Sequence, residues 1–185
     1  MGEHDENRTA PASTRADAAT QRPLIENRTF DEIEVGESAV LERTLSWRDI
    51  ELFAVMSGDV NPAHVDEEYA QTDRFHAIVA HGMWGASLIS TLLGTRLPGP
   101  GTIYLEQTLH FRHPIAIGDT ISVSVAVASK ERAHNRVVLD CRCVNQRGEI
   151  VIDGTAKVLA PTETVRRPRF VLPEVSLRER GGDPG

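Results

Sequence analysis

Residues 79–94 read VAHGMWGASLISTLLG, a stretch that is apolar around nearly its whole circumference when it is drawn as a helix. It mixes small residues with large ones such as Met83, Trp84 and Leu88. A helix without a polar face must be buried on most of its sides. We therefore predict a long central helix over about residues 79–94, which ends before the Pro-Gly-Pro-Gly sequence at 98–101.

The sequence after this helix alternates between apolar and polar residues, which is the pattern of half-buried strands. Turn residues at 118–119, 133–135 and 145–148 separate the alternating runs. The apolar positions are Leu109 and Phe111, then Ile121, Val123, Val125 and Val127, then Val137, Leu139, Cys141 and Cys143, then Ile150 and Ile152. Cysteines two apart in a strand lie on one face, so no disulfide between Cys141 and Cys143 is expected.

A second, shorter helix is predicted before the long one. Ser46 and Asp49 have the spacing of an N-terminal capping box, and Gly58 stands where a left-handed C-terminal cap belongs. These signals predict a helix over residues 47–57. Helices followed by consecutive antiparallel strands predict an α+β fold in which the long helix packs against a curled sheet.

The two ends of the 185-residue chain differ in composition from its middle. Residues 1–29 are polar and contain no aromatic side chain, which predicts a disordered N-terminal arm. Residues 162–185 form an arginine-rich C-terminal tail, and one folded domain is expected over residues 30–161. Twenty basic against 27 acidic residues give a net charge of −7, which argues against a nucleic-acid partner. Without an apolar signal segment or membrane span, we expect a cytoplasmic protein.

Residues 57–64, with the sequence SGDVNPAH, hold the candidate chemistry. Pro62 prevents a helix from running through this segment and favours an extended Asn61. Asp59 and His64 are therefore expected to converge across a turn, where a carboxylate and an imidazole can hold and polarise one water. The alternative is structural, with Asp59 bound to turn amides and His64 on the surface.

The whole string from Gly58 to His64 resembles the signature of the MaoC-like, (R)-specific enoyl-CoA hydratase family, also called hydratase 2. The resemblance covers about residues 30–161 and includes five further motifs: His81-Gly82-Met83, Leu97-Pro98-Gly99, Tyr104-Leu105, Phe111-Arg112-His113-Pro114 and Gly118-Asp119. It implies the hot-dog fold, a long central helix wrapped by a curled antiparallel sheet.

The resemblance also implies roles for individual residues. Asp59 and His64 would bind the catalytic water, and the amide of Gly82 would donate to the thioester oxygen. Ser90 and Leu93 match positions that shape the acyl pocket. We expect Asn61 to support the turn, since an amide side chain does not transfer protons usefully. His81 is interpreted as part of the helix entrance.

The expected activity is reversible hydration of a trans-2-enoyl-CoA to the (R)-3-hydroxyacyl-CoA by a homodimer, without a metal or other cofactor and with the coenzyme A thioester as substrate. The other histidines lack metal-ligand spacing with cysteines or acids. Two alternatives stay open: a 3-hydroxyacyl dehydratase acting on an acyl-carrier protein, and a non-catalytic acyl-thioester-binding or assembly domain of a larger acyltransferase system. A thioesterase is disfavoured, because the Asp-x-Asn-Pro-x-His string belongs to hydration.

Overall fold

The computed structural model describes residues 22–177. The strands are β1 (Leu24–Glu26), β2 (Ser38–Thr44), β3 (Ile103–Phe111), β4 (Thr120–Glu131), β5 (Arg136–Val144), β6 (Ile150–Leu159) and β7 (Arg166–Pro168). The helices are α1 (Trp47–Ser57), α2 (Pro62–Val65), α3 (Glu67–Thr72) and α4 (Gly82–Thr95), with a 3₁₀ turn at Arg132–His134.

Five strands form one antiparallel sheet in the order β2-β4-β5-β6-β3. Helix α4 packs against β4 and β2 of this sheet. The alternating apolar side chains of β4 and β5 are buried under the helix, and Cys141 and Cys143 lie among them as free thiols. This arrangement confirms the predicted α+β hot-dog fold.

The short helix α1 has the predicted bounds, since its two caps are local features. Ser46 Oγ accepts the Asp49 N–H at 3.3 Å, and Asp49 Oδ2 accepts the Ser46 N–H at 2.9 Å. At the other end Gly58 adopts a φ of 76° and donates its N–H to Ala54 O at 2.8 Å. The left-handed glycine turns the chain away from the helix axis directly before Asp59.

The long helix α4 begins at Gly82, three residues later than predicted. Val79 forms a β-bridge with Ala116, and the Ala80 N–H donates to Ile115 O at 2.8 Å. These bonds hold residues 79–80 in an extended conformation, because their main-chain groups already have partners outside the helix. The start of α4 is thereby fixed against the loop that precedes β4.

Helix α4 is buried along one side and exposed along the other. Gly85 lies on the buried side, where a Cβ atom would be only 2.5 Å from Ile152 Cδ1, so glycine lets the helix approach β6 closely. Met83, Ser87 and Ser90 are exposed, and Met83 is 57 % accessible. We predicted that this helix would be buried on most of its sides, but the structure buries only one side. The exposed stripe faces a groove beside β3.

Parts of both chain ends join the folded structure, in contrast to the expected arm and tail. Strand β1 pairs with β7, and Asn27 beside it is 4 % exposed. Its side chain donates to Glu163 O at 2.8 Å and accepts the Val165 N–H at 2.9 Å. Composition does not reveal this pairing, because its partners are more than 130 residues apart.

Residues 1–21 and 178–185 lie outside the described residues, so the proposed domain limits remain predictions there.

None of the helices within residues 22–177 combines the length and the apolar character that a membrane crossing requires.

Candidate active site

The loop between α1 and α3 places the predicted acid and imidazole. Asp59 Oδ1 accepts the Asn61 N–H at 3.1 Å, and Asn61 Oδ1 accepts the Ala63 N–H at 3.2 Å. Asn61 is thus the N-cap of α2, and Pro62 occupies the first helical position, where its missing N–H costs nothing. The turn role considered for Asp59 is present, yet a carboxylate has further lone pairs for another donor.

His64 projects from α2 and is half-buried. Its Nδ1 lies 2.8 Å from the main-chain oxygen of Val79. A carbonyl oxygen only accepts, so Nδ1 carries the proton in this bond and the neutral ring bears its lone pair on Nε2. The segment before α4 therefore fixes both the orientation and the tautomer of His64.

His81 joins Asp59 and His64 in one cluster, a contact that the sequence did not predict. His81 is 2 % exposed, and its Nε2 lies 3.0 Å from the main-chain oxygen of Asp59. The His81 and His64 rings are 4.1 Å apart between centroids. The spacing of 22 residues carried no signal for this contact, because it depends on how α4 packs beside the loop.

Polar side-chain atoms of Asp59, His64 and His81 all lie within 4.8 Å of one another. Two groups at that separation can be bridged by one water that makes hydrogen bonds of about 2.8 Å to each. One carboxylate and two imidazoles are also a donor set that zinc binds. The geometry thus provides a site for a polarised water, and its donors are compatible with a metal ion.

Gly82 is the first residue of α4 and lines the same cavity as His64. The first four N–H groups of a helix have no acceptor within it, and the helix dipole makes this end positive. A Cβ atom at Gly82 would lie 3.0 Å from Cε1 of the Phe111 ring. A larger residue here would therefore press on the Phe111 ring, which would have to move by a few tenths of an ångström. Within residues 22–177 the Gly82 N–H has no hydrogen-bond acceptor, so it is well suited to bind a developing oxyanion.

This polar cavity has a volume of about 320 Å³. Arg74, Arg112 and His113 also line it, so two guanidinium groups stand beside His64. Arg112 binds Asp153 through Nε and Nη2 at 3.1 Å, and this hydrogen-bonded guanidinium lowers the pKa of that carboxyl. The cavity therefore combines an imidazole, a helix N-terminus and positive charge.

One wall of the polar cavity is held in place by Asp119. Its carboxylate accepts the Ala116 N–H at 3.0 Å, a Gln146 amide proton at 2.7 Å and Arg147 Nη1 at 3.0 Å. Burial raises the pKa of Asp119, but these hydrogen bonds outweigh burial and hold the pKa below its usual value. Asp119 thus ties the loop before β4 to the turn between β5 and β6.

A second, apolar groove of about 460 Å³ lies on the other side of the α4 N-terminus, between α1, α4 and β3. It is lined by Phe53, Met56, Met83, Ala86, Ser87, Ser90, Tyr104, Leu105, Glu106, Gln107 and Leu109. Ser90 lines this groove, and its role in shaping an acyl pocket stays a prediction. Leu93 lines neither the cavity nor the groove, since it is 2 % exposed and lies in the hydrophobic core.

Comparison with known proteins gives the family. Residues 31–143 match the MaoC like domain. The chain is 48 % identical over 132 residues to an (R)-specific enoyl-CoA hydratase from Rhodospirillum rubrum, which covers 71 % of this chain and 91 % of the relative. It is 42 % identical over 153 residues to a 3-hydroxybutyryl-CoA dehydratase from Methylorubrum extorquens, covering 83 % of this chain and 93 % of the relative.

Two solved structures support the same assignment. The unliganded R-hydratase PhaJ1 from Pseudomonas aeruginosa aligns with a TM-score of 0.81 and 42 % sequence identity, over 84 % of this chain and 100 % of that chain. The (R)-hydratase from Aeromonas caviae aligns with a TM-score of 0.68 and 38 % identity, over 70 % of this chain and 98 % of that chain. The fold, the matched domain and these identities together show that the chain belongs to the MaoC-like domain family.

Proposed function

We propose that this protein catalyses the reversible hydration of a trans-2-enoyl-CoA to the (R)-3-hydroxyacyl-CoA. The observation that carries the proposal is the clustering of Asp59 and His64 beside the N-terminus of α4, where Gly82 presents its free amide. Two relatives, an (R)-specific enoyl-CoA hydratase and a 3-hydroxybutyryl-CoA dehydratase, are named for the two directions of this reaction type.

In the proposed mechanism Asp59 and His64 hold one water near C3 of the substrate. The water oxygen forms a bond to C3, and the π electrons of C2 and C3 move towards the thioester oxygen. The Gly82 amide stabilises the negative charge that develops there. The pair removes one proton from the water and delivers one proton to C2. Because both transfers occur from one face, the addition is syn.

The His64 tautomer suits this role. Its Nδ1 proton is donated to Val79 O, so the lone pair on Nε2 is available to accept a proton from water. When Nε2 becomes protonated, the Val79 carbonyl continues to accept from Nδ1 and stabilises the imidazolium. We propose Asn61 as a supporting residue that caps α2 and thereby orients His64.

The atoms of the reaction come from water and the thioester alone, so its stoichiometry requires no redox cofactor. The Asp59, His64 and His81 cluster could bind zinc instead of the proposed water, and removal of metal ions distinguishes the two. We expect full activity after dialysis against EDTA. Loss of activity that is restored by Zn²⁺ would assign the cluster to a metal instead.

We propose coenzyme A as the carrier, with the apolar groove at Ser90 as the site of the acyl chain. Arg74 and Arg112 support this choice, because guanidinium groups at a cavity attract the phosphates of the nucleotide. An acyl-carrier protein would present a single phosphodiester. Comparing crotonyl-CoA with crotonyl-pantetheine, which lacks the nucleotide, tests the contribution of the phosphates.

The deciding experiment incubates the protein with crotonyl-CoA and follows both the conjugated thioester absorbance and free thiol. Absorbance loss without thiol release is expected for a hydratase. Thiol release would indicate a thioesterase, and neither signal would favour a non-catalytic binding domain. A coupled dehydrogenase strict for (S)-3-hydroxyacyl-CoA should give no reduced nicotinamide, since we expect the (R) product.

We also propose a homodimer, which β3 supports. This strand lies at an edge of the sheet and exposes apolar side chains, including 57 % of Ile103, 41 % of Leu105 and 54 % of Phe111. An exposed apolar edge favours pairing with a second chain. Light scattering after size exclusion should give twice the chain mass of 20.3 kDa. An active species with the mass of a single chain would contradict the dimer.

The cytoplasmic location of the protein stays a prediction.

A further inference from the structure

The side chain of His81 makes its hydrogen bond with a distant loop instead of with its own helix. His81 is the N-cap residue of α4, and it makes no side-chain cap bond there. Ser46, the N-cap residue of α1, shows the ordinary behaviour, since its hydroxyl accepts an amide of the helix that it precedes. His81 Nε2 donates instead to the main-chain oxygen of Asp59, at 3.0 Å.

Packing alone does not account for a histidine at this position. The His81 ring lies 4.9 Å from the Phe53 ring and 4.1 Å from the His64 ring, between centroids. Its Nδ1 is buried and has no hydrogen-bond partner within residues 22–177. Burying a polar atom without a partner destabilises a fold, and an aromatic side chain without nitrogen would avoid this cost.

Both ends of this contact lead to groups that the proposed reaction uses. At one end the bonded carbonyl belongs to Asp59, whose carboxylate is assigned to the water. At the other end the His81 peptide continues directly into Gly82, whose amide is assigned to the thioester oxygen. A single residue therefore connects the water-binding loop to the oxyanion donor.

We propose that His81 is a positioning residue that fixes the distance between Asp59 and the Gly82 amide. This inference rests on the proposed hydration. In an enoyl thioester, C3 and the carbonyl oxygen belong to one planar conjugated system, so their separation is set by the substrate. The two protein groups must match that separation at the same time. Small displacements of a reacting group lower turnover by about 100-fold.

The experiment compares three variants that differ in where they can place a donor. Glutamine at 81 can place its amide nitrogen near the position of Nε2, asparagine reaches only the position of Nδ1, and phenylalanine keeps the ring without a donor. We expect His81→Phe and His81→Asn to lower kcat for crotonyl-CoA about 100-fold, with KM changed less than threefold. His81→Gln should regain at least tenfold of kcat relative to His81→Asn, and it should keep the parental pH profile.

The proposal would be overturned by parental kcat in His81→Phe, by equal losses in His81→Gln and His81→Asn, or by losses of kcat that follow the melting temperatures of the three variants. The last result would assign His81 to the core alone. A changed pH profile in His81→Gln would make it a proton carrier instead of a positioning residue.

A readout without substrate separates this inference from the proposed function. Hydrogen exchange of the amides in residues 58–66 should be faster in His81→Asn than in His81→Gln, because only glutamine restores the bond to the Asp59 carbonyl. If the parent protein fails to hydrate crotonyl-CoA, the proposed function is wrong. If the parent is active but the two variants exchange alike, the positioning role is wrong.

Discussion

The polar cavity and the apolar groove lie on either side of the same helix start, and they differ in chemistry. The polar cavity contains His64 and Gly82, with Arg74 also in its lining. The groove is lined mainly by apolar side chains such as Met83, together with Ser90. Consecutive residues of α4, Gly82 and Met83, thus serve different sites. Under the proposed function, the cavity carries out the reaction and the groove binds the acyl chain, so substitutions should affect one without the other.

The largest effect is expected from the polar side. Asp59→Asn keeps an oxygen that can accept the Asn61 N–H, and His64→Asn keeps a donor for Val79 O, so both variants should retain the fold. Both lose a group that exchanges protons with water. We expect kcat for crotonyl-CoA to fall by about 10³-fold in each, measured at steady state.

Circular dichroism provides the control for these two variants. A spectrum like that of the parent together with a turnover within tenfold of the parent, in either variant, would contradict the assignment of that residue.

The next effect is expected from the groove and should depend on chain length. Ser90→Phe places a ring in the groove, so kcat/KM for a 2-octenoyl thioester should fall about tenfold or more, while crotonyl-CoA should lose less than threefold. A smaller acyl pocket lowers kcat/KM more for the long substrate, because only the long acyl chain needs the space that the ring fills. The ratio of the two substrates is the measurement.

Thr91→Phe is the matched control, because Thr91 is the neighbouring exposed residue of α4 and lines a different cavity. A similar loss of the long substrate in both variants would mean that the acyl chain does not lie in the groove at Ser90.

Local signals predicted much of the fold and of the loop that carries Asp59 and His64. Helix α1 has the predicted bounds because its caps, Ser46 and Gly58, act within a few residues of the helix. The Asn61-Pro62 break likewise predicted that Asp59 and His64 converge. These features depend on backbone geometry that neighbouring residues determine.

Features that depend on distant partners were missed. Residues 79–80 look helical in isolation, but they pair with Ile115 and Ala116. The hydrogen bond of His81 with Asp59 also crosses between elements. Leu93 matched an acyl-pocket position by resemblance, although packing places it in the core. Tertiary packing determines the contacts of these residues, and neither hydrophobic periodicity nor motif spacing carries information about that packing.

A smaller effect should show whether the cations of the polar cavity act on the carrier. Arg74 is exposed, lines the cavity and stacks over the Phe75 ring at 5.2 Å. We expect Arg74→Ala to raise KM for crotonyl-CoA about threefold to fivefold, with kcat within twofold, because one phosphate contact is lost while the reacting groups are unchanged. Crotonyl-pantetheine should show the parental KM.

Arg132→Ala is the control, since Arg132 is an exposed arginine, paired with Asp31, that lines neither cavity. Equal KM changes in the two variants would reflect net charge alone. An increased KM for crotonyl-pantetheine in Arg74→Ala would show that Arg74 contacts another part of the substrate.

The smallest effect on turnover is expected at Asp119, which holds the cavity wall without reaching the substrate. Asp119→Asn should leave kcat within twofold, yet lower the free energy of unfolding at pH 7 by about 1–3 kcal/mol, because a buried charged acceptor is lost. Since the folded pKa of Asp119 is lowered, its stabilising contribution is present above the unfolded pKa of about 3.9 and is lost as the pH falls through the folded value. Urea unfolding at decreasing pH should therefore show that the difference in unfolding free energy between parent and variant narrows below about pH 4.

Asp31 is an exposed aspartate and provides the control. Asp31→Asn should change the free energy of unfolding by less than about 0.5 kcal/mol at every pH. A gap at Asp119 that stays constant with pH would mean that its side chain holds the wall by shape instead of by charge.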